Sequence, residues 1–450
     1  MSLAWVVLAP VGTAAAAPVR AAAPVTAAAA TSLKGYTPVT PVRICDTRAV
    51  GAGVAANQCQ GTGGVAGTLG AGSISVNVAG SNGVPATAIA AVLNVTVTNT
   101  TAASFLTVWP KGQTQPTASN LNWTAGRTVP NLVEVALGTN GAIMVFNSAG
   151  LADVIVDLEG YVDASSTALF NPLTPGRICD SRAAGSVAGM NQCQGPGGSH
   201  RPLGVGSIVV TVAGMAGVPA NATSVVLNVT VTGTTTAGFL TVWPDGTNQP
   251  VASNLNWIAG QTVPNRVVVP LSPGGKIEVF NSAGITDVVI DVNGFNSDAV
   301  GGNGFTTGAP TRICDTRPLA AANPCNSPSN GGPLLAGDEL VLSVPAGDTA
   351  IVINTTVVNT TAGSYLAVFP DPTPNSFVQP PLISDLNWTA GQIIANLVVV
   401  GSGPAQSVAF YNNAGTTDLV IDADAAYSLT PTAATASRQL SVAIRHHHPA

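Results

Sequence analysis

The stretch LNVTVTNTTAASFLTVWP (residues 93–110) decides the fold, because the chain contains it three times. It returns as LNVTVTGTTTAGFLTVWP (227–244) and as INTTVVNTTAGSYLAVFP (353–370). Within it Leu93, Val95 and Val97 alternate with Asn94, Thr96 and Thr98. Period-two alternation is the mark of a strand with one buried face. Val and Thr suit such a pleated surface. The small and polar residues that follow are turn material before a second strand, FLTVWP.

Other blocks recur outward from this one. PVRICDTR (41–48) returns at 175–182 and 310–317. SNLNWTAGRTVPNLVEV (119–135) returns at 253–269 and 384–400, and VFNSAGLADVIVDLEGY (145–161) at 279–295 and 409–427. SISVNVA and DVIVDL also alternate with period two, and turn signals such as Lys111-Gly112 and Asn140-Gly141 separate the runs. No window sustains a 3.6-residue period. Each copy is far longer than a solenoid repeat and can own a core. These observations predict an all-β protein of three tandem antiparallel β-sandwich domains of Greek-key or jelly-roll type, with a prism-like barrel as the alternative. The expected domains are residues 34–163, 164–298 and 299–427. A signal peptide and Ala/Pro-rich leader would occupy residues 1–33, and a disordered tail residues 428–450.

The composition supports this and excludes several functions. Charged residues make up 8% of the 450, and the net charge is -6. Twelve arginines and three lysines cannot build a phosphate-binding stripe, so no nucleic-acid partner is expected. The apolar run LAWVVLAPVGTAAAA (3–17) resembles a signal h-region and cleavage region, although the basic n-region is missing. No other run approaches the length of a membrane span, so no transmembrane segment is expected. Six cysteines recur in pairs within the copies: Cys45 with Cys59, Cys179 with Cys193, Cys314 with Cys325. Intra-repeat disulfides and an oxidising, extracellular compartment follow. Zinc would need more ligands per copy, so neither metal nor cofactor is expected. The histidines 446–448 are read as incidental.

Three constellations could carry chemistry. Half of all arginines sit in the R-x-x-D-[TS]-R motif: Arg43, Asp46 and Arg48; Arg177, Asp180 and Arg182; Arg312, Asp315 and Arg317. They are read as structural ion pairs that include Asp153- or Asp157-type partners. The pairs Asp153/Asp157, Asp287/Asp291 and Asp418/Asp422 lie i, i+4 on a strand, about 13 Å apart, which suits neither a calcium loop nor a glycosidase dyad. The third set joins aromatic rings to amides: Trp109, Asn120, Asn122 and Trp123; Trp243, Asn254, Asn256 and Trp257; Phe369, Asp385, Asn387 and Trp388. If exposed, such Trp–Asn groups would stack on and hydrogen-bond a sugar, and these tryptophans and amides are the expected glycan contacts. If buried, they cap the cores. Copy three departs at Phe369, Asp385 and Ala395 and carries a Pro-rich insertion before Trp388, so any shared site would be altered there. His200 is the one histidine outside the tail and does not recur, so a catalytic triad cannot recur either.

At these motifs the chain resembles a repeat domain of secreted and cell-surface actinobacterial proteins, found in tandem or appended to cell-wall hydrolases and proteases. The resemblance covers about residues 36–427 and implies an extracellular, wall-associated location. It carries no assigned binding residues. The expected function is a secreted, non-catalytic surface protein that binds cell-wall or extracellular polysaccharide. The alternatives are a structural or adhesive spacer with protein partners and, last, a glycan-active hydrolase using Asp157-type carboxylates.

Overall fold

A computed structural model describes residues 33–50, 55–60, 65–186, 191–318, 325, 332–373, 376–429 and 442–446. The leader before residue 33, His447, His448 and most of the tail lie outside these residues. Among the described residues there is no α-helix, only strands and short 3-10 turns.

Repeat 1 forms β1 (Tyr36–Asp46), β2 (Gly72–Asn77), β3 (Ala90–Thr98), β4 (Ser104–Pro110), β5 (Leu121–Trp123), β6 (Val129–Ala136), β7 (Ala142–Asn147) and β8 (Asp153–Val162). Repeat 2 forms β9 (Leu169–Asp180), β10 (Gly206–Thr211), β11 (Ser224–Thr232), β12 (Gly238–Pro244), β13 (Leu255–Trp257), β14 (Val263–Pro270), β15 (Lys276–Asn281) and β16 (Asp287–Ser297). Repeat 3 forms β17 (Gly304–Asp315), β18 (Glu339–Ser343), β19 (Asp348–Val358), β20 (Ser364–Pro370), β21 (Leu386–Trp388), β22 (Ile394–Gly401), β23 (Ser407–Asn412) and β24 (Asp418–Ser428). The last strand is β25 (Val442–Arg445).

All pairing is antiparallel, and the strands make six small sheets. In repeat 1 one sheet has the order β1-β8-β3-β6 and the other β2-β7-β4-β5, and repeats 2 and 3 copy both orders. The two sheets of a repeat share an apolar core. Leu93, Val95 and Val97 of β3 meet Leu106 and Val108 of β4 and Val145 of β7 there. A further core belongs to no single repeat. It gathers Val92, Leu132, Val226, Val268, Val352, Leu397 and Val399, together with Tyr36, Phe170, Phe305 and Tyr427. All of these lie on the first sheet of their repeat, which is therefore the inner one. The Tyr427 ring lies 4.3 Å from Phe170 and 5.4 Å from Phe305, centroid to centroid.

The six sheets thus form a closed, propeller-like ring, and Leu33–Ala450 is one compact unit. This corrects the expectation of three tandem sandwiches. The reason lies in the polar faces. β3 is buried on both sides: Leu93, Val95 and Val97 face their own core, while Asn94 and Thr96, also buried, face a neighbouring repeat. Alternation reports two different faces, and here the polar face meets protein instead of water.

The inner strand β8 carries a bulge. Val92 pairs with Gly160 and Leu93 with Leu158, so Glu159 is the extra residue. Asn293 and Asp424 occupy the same bulge in the other repeats. A bulge re-aims its side chain. Glycine follows at Gly160, where a Cβ would lie 2.2 Å from the Tyr36 hydroxyl.

The tail also departs from expectation. Val442–Arg445, assigned from sequence to a disordered segment, pairs with β18 as a fifth strand of the outer sheet of repeat 3.

Candidate functional site at the inter-repeat seams

The disulfides Cys45–Cys59, Cys179–Cys193 and Cys314–Cys325 are formed. Beside each runs the R-x-x-D-[TS]-R motif. Arg43 donates from Nε and Nη2 to both oxygens of Asp157, at 2.9 and 3.2 Å, and from Nη1 to Asp46 at 3.2 Å. Arg48 Nη2 reaches Asp46 at 2.6 Å. Arg177 holds Asp291 and Asp180, and Arg182 holds Asp180. Arg312 holds Asp422 and Asp315, and Arg317 holds Asp315. The i, i+4 aspartates part company: Asp157 takes the arginine, while Asp153 accepts from Thr47, Thr68 and Asn99. Burial pushes the Asp157 carboxyl up, against the pull of Arg43.

The tryptophan set does not make a sugar-stacking surface, and that expectation is corrected. Trp109, Trp123, Trp243, Trp257 and Trp388 are 3–6% exposed, and Phe369 is as buried. Trp123, Trp257 and Trp388 belong to the three repeat cores. Three indole N–H groups are satisfied locally, Trp109 by Gln113 O, Trp243 by Thr247 O and Trp257 by Thr236 O. The amides are structural as well. Asn120 accepts from Val108 N, Asn254 from Val242 N and Asp385 from Val368 N, at 2.7–2.8 Å. Asn122, Asn256 and Asn387 each donate to a serine three residues earlier, at 3.1 Å.

The seams themselves are closed by residues that sequence reading passed over. Leu132 N donates to Asn265 Oδ1 at 3.1 Å, Arg266 N to Asn396 Oδ1 at 3.3 Å, and Leu397 N to Asn131 Oδ1 at 3.0 Å. The same asparagines donate onward: Asn131 to Asn354, Asn265 to Asn94 and Asn396 to Asn228, at 2.8–3.1 Å. Asn94, Asn228 and Asn354 then donate to Ser253 O, Ser384 O and Ser119 O of the adjacent repeat. Three kinds of bond, each made three times, run around the ring and return to the start. Their signal in the sequence is recurrence: Asn94, Asn228 and Asn354 hold the same polar strand position in the three copies.

Two departures in the copies answer each other at one seam. Arg266 stands where the other copies have Leu132 and Leu397, and Asp385 where they have Asn120 and Asn254. Arg266 is fully buried, and its Nη2 lies 2.7 Å from Asp385 Oδ1, with Nε donating to Leu397 O. Burial pulls the guanidinium down and pushes the Asp385 carboxyl up, while each charge opposes the shift of the other. The divergence of Asp385 therefore belongs to packing.

Further acids are buried near the shared core. Glu159 accepts from Asn254 Nδ2 at 2.8 Å and from Val268 N at 3.1 Å, both in repeat 2. Burial pushes its carboxyl up to about 8. Glu134 accepts from the Tyr427 hydroxyl at 3.3 Å, and burial pushes it to about 7. Asp424 is buried with neither carboxylate oxygen hydrogen-bonded, and its pKa is raised well above the usual range. Among the described residues no group of three His, Cys, Asp or Glu side chains is placed to hold a metal ion. His446 sits 3.1 Å from Asp338.

One open cleft lies on the seam between repeats 1 and 2. It encloses about 310 Å³ and is lined by Arg43, Arg48, Thr96, Thr128, Phe239 and Asn256, among others. It brings together two arginines of the ion-pair motif and one amide of the expected glycan set. At the equivalent seam between repeats 3 and 1, Arg312 Nη2 donates across to Thr117 O at 2.9 Å.

No protein-family model matches the chain, and no curated protein matches it. Among solved structures, one titled for the triple jelly roll fold and turret assembly in an archaeal virus covers 88% of this chain and 90% of its own, at 13% identity and a TM-score of 0.19. A second, from Sulfolobus Turreted Icosahedral Virus, covers 80% and 84% at 13% identity and a TM-score of 0.17. Among the described residues no helix is long and apolar enough to cross a membrane.

Proposed function

We propose that this chain is a secreted, non-catalytic surface protein whose ring serves as a rigid structural or adhesive body for protein partners. One observation carries the reading: the chemistry-bearing residues that recur in all three repeats are engaged in building the ring. The arginines hold aspartates, the tryptophans fill cores and the asparagines close seams. Asp157, Asp291 and Asp422 are buried against arginine, which supports a non-catalytic role. The order β1-β8-β3-β6 facing β2-β7-β4-β5 supports reading each repeat as a jelly roll. Three disulfides are consistent with an oxidising, extracellular setting. The wall-associated location implied by the actinobacterial resemblance is part of the same proposal.

A second reading keeps glycan binding but moves it to the seam cleft. A volume of about 310 Å³ is within the range of small-ligand sites. Thr96, Thr128 and Asn256 offer polar groups and Phe239 an exposed ring. Sedimentation with purified cell walls and soluble glycans separates the two. The structural reading expects no sedimentation above a control protein. Sedimentation abolished by Phe239→Ala with Asn256→Ala would establish the cleft instead.

A further inference from the structure

Of the four strands that each repeat gives its own outer sheet, one end is β2, β10 or β18. An edge exposes unpaired backbone groups and is a template for another strand. Repeats 1 and 2 cover one end of that edge with a side chain. The Gln58 amide takes both backbone groups of Asn77, donating to O and accepting from N–H, each at 2.9 Å. Gln192 does the same for Thr211 at 2.8 and 3.0 Å. These glutamines directly precede Cys59 and Cys193, whereas Pro324, which has no side-chain amide, precedes Cys325.

Repeat 3 covers its edge with a strand. β25 pairs Arg445 with Glu339, Ile444 with Leu340, Ala443 with Val341 and Val442 with Leu342. Val442 enters the repeat core. The receiving edge is acidic. Arg445 lies 2.8 and 3.1 Å from the two Asp371 oxygens and 3.6 Å from Glu339, and His446 lies 3.1 Å from Asp338. The corresponding positions are Gly72, Ser73 and Lys111 in repeat 1 and Gly206, Ser207 and Asp245 in repeat 2. The paired acids at 338 and 339 thus occur only where a strand ending in arginine is received.

We propose that this edge is a strand-acceptor site for an extended segment of the pattern V-x-I-R, filled by β25 in cis and by the same segment of a second copy in trans. Twelve residues separate Leu429 from Val442. A connection of that length extends to about 40 Å, enough to leave one ring and reach another. Exchange makes the same hydrogen bonds and ion pairs in either arrangement, as in domain swapping. A tethered strand competes at roughly millimolar effective concentration, so dilute protein stays closed and crowded copies link.

The test titrates a fluorescent peptide of residues 441–446, SVAIRH, against the full chain and two full-chain variants. Arg445→Glu places a carboxylate against Glu339 and Asp371, which expels β25 and opens the site. It should bind the peptide at least about tenfold more tightly than the wild type does, because the tethered competitor is gone. Adding Asp371→Asn to that variant should remove the gain. Sedimentation of the wild type should show association as its concentration approaches about a millimolar, the effective concentration of the tether. Folding of both variants is checked by circular dichroism. Peptide binding no tighter in folded Arg445→Glu overturns the proposal. So does unchanged hydrogen-exchange protection of residues 339–342 in that variant, since the acids then do not select the segment. A wild type that stays monomeric throughout removes the trans arrangement.

Discussion

Replacing Arg266 by Leu tests whether the two divergent residues at one seam act as a pair. Leucine is the residue at the equivalent positions, Leu132 and Leu397, where it is fully buried. The arginine is 0% and the aspartate 1% exposed, so deleting the cation strands Asp385 in the interior. Breaking a buried pair from one side costs about 3–5 kcal/mol. Asp385→Asn should cost about as much. The new amide would keep its oxygen on Val368 N, as Asn254 does on Val242 N, and turn its own N–H groups towards Arg266. The double variant restores the pattern of the other repeats. Replacing a whole buried pair by packed neutral groups is often neutral or stabilising by about 1–4 kcal/mol. Urea unfolding followed by tryptophan fluorescence, with disulfides intact, gives the three values. The account expects two strongly destabilised single variants and a double variant close to the wild type. The single Arg266→Leu change should also cost less at low pH. Burial raises the folded pKa of Asp385, so protonation relieves the stranded charge. A double variant as unstable as the sum of its singles would refute the reasoning.

The remaining expectations concern the shared core and the repeat cores. Glu134 and Glu159 have folded-state pKa values raised to about 7 and about 8. Their contribution is complete below the unfolded carboxylate range and is lost as pH rises through 7 and 8, so the urea midpoint should fall from pH 5 to pH 9. Glu134→Gln, which keeps an acceptor for Tyr427, should reduce that fall; an unchanged slope would contradict the assignment. Asn265→Ala leaves Leu132 N and Asn94 Oδ1 without partners and should cost about 2–4 kcal/mol in unfolding free energy, from the penalty for unsatisfied buried groups. Trp257→Ala should cost about 3–5 kcal/mol as a core truncation, with no change in sedimentation with glycans. Loss of the Cys179–Cys193 bridge should cost about 3 kcal/mol on the loop-entropy estimate, read as a lower urea midpoint.

The strands, the repeats and the cysteine pairs were legible because each has a local signature: alternation, recurrence and paired spacing. Closure was not. Asn94 and Thr96 look alike whether they face water or a neighbouring repeat, since a polar interface needs the same residue types as a solvated face. Recurrence was the available clue. Asn131, Asn265 and Asn396 persist through copies whose flanking positions change from Pro130 and Pro264 to Ala395. The tryptophans misled for a related reason. A ring beside an amide suits a sugar or a capped core equally, and only burial separates them. Asp385 looked like an eroded site because its partner, Arg266, lies 119 residues away in another repeat. The strand β25 was hidden by a Thr/Ala-rich context and depends on acids at 338, 339 and 371 that are distant in sequence.

The most direct test of the closed ring is native-state hydrogen exchange at three amides: Leu132, Arg266 and Leu397. Each donates to an asparagine side chain in a different repeat. If the ring is one cooperative body, the three exchange together, with a protection free energy equal to that of global unfolding. Three separate opening energies well below the global value would mean that the repeats part independently, and the account of a single locked body would fail.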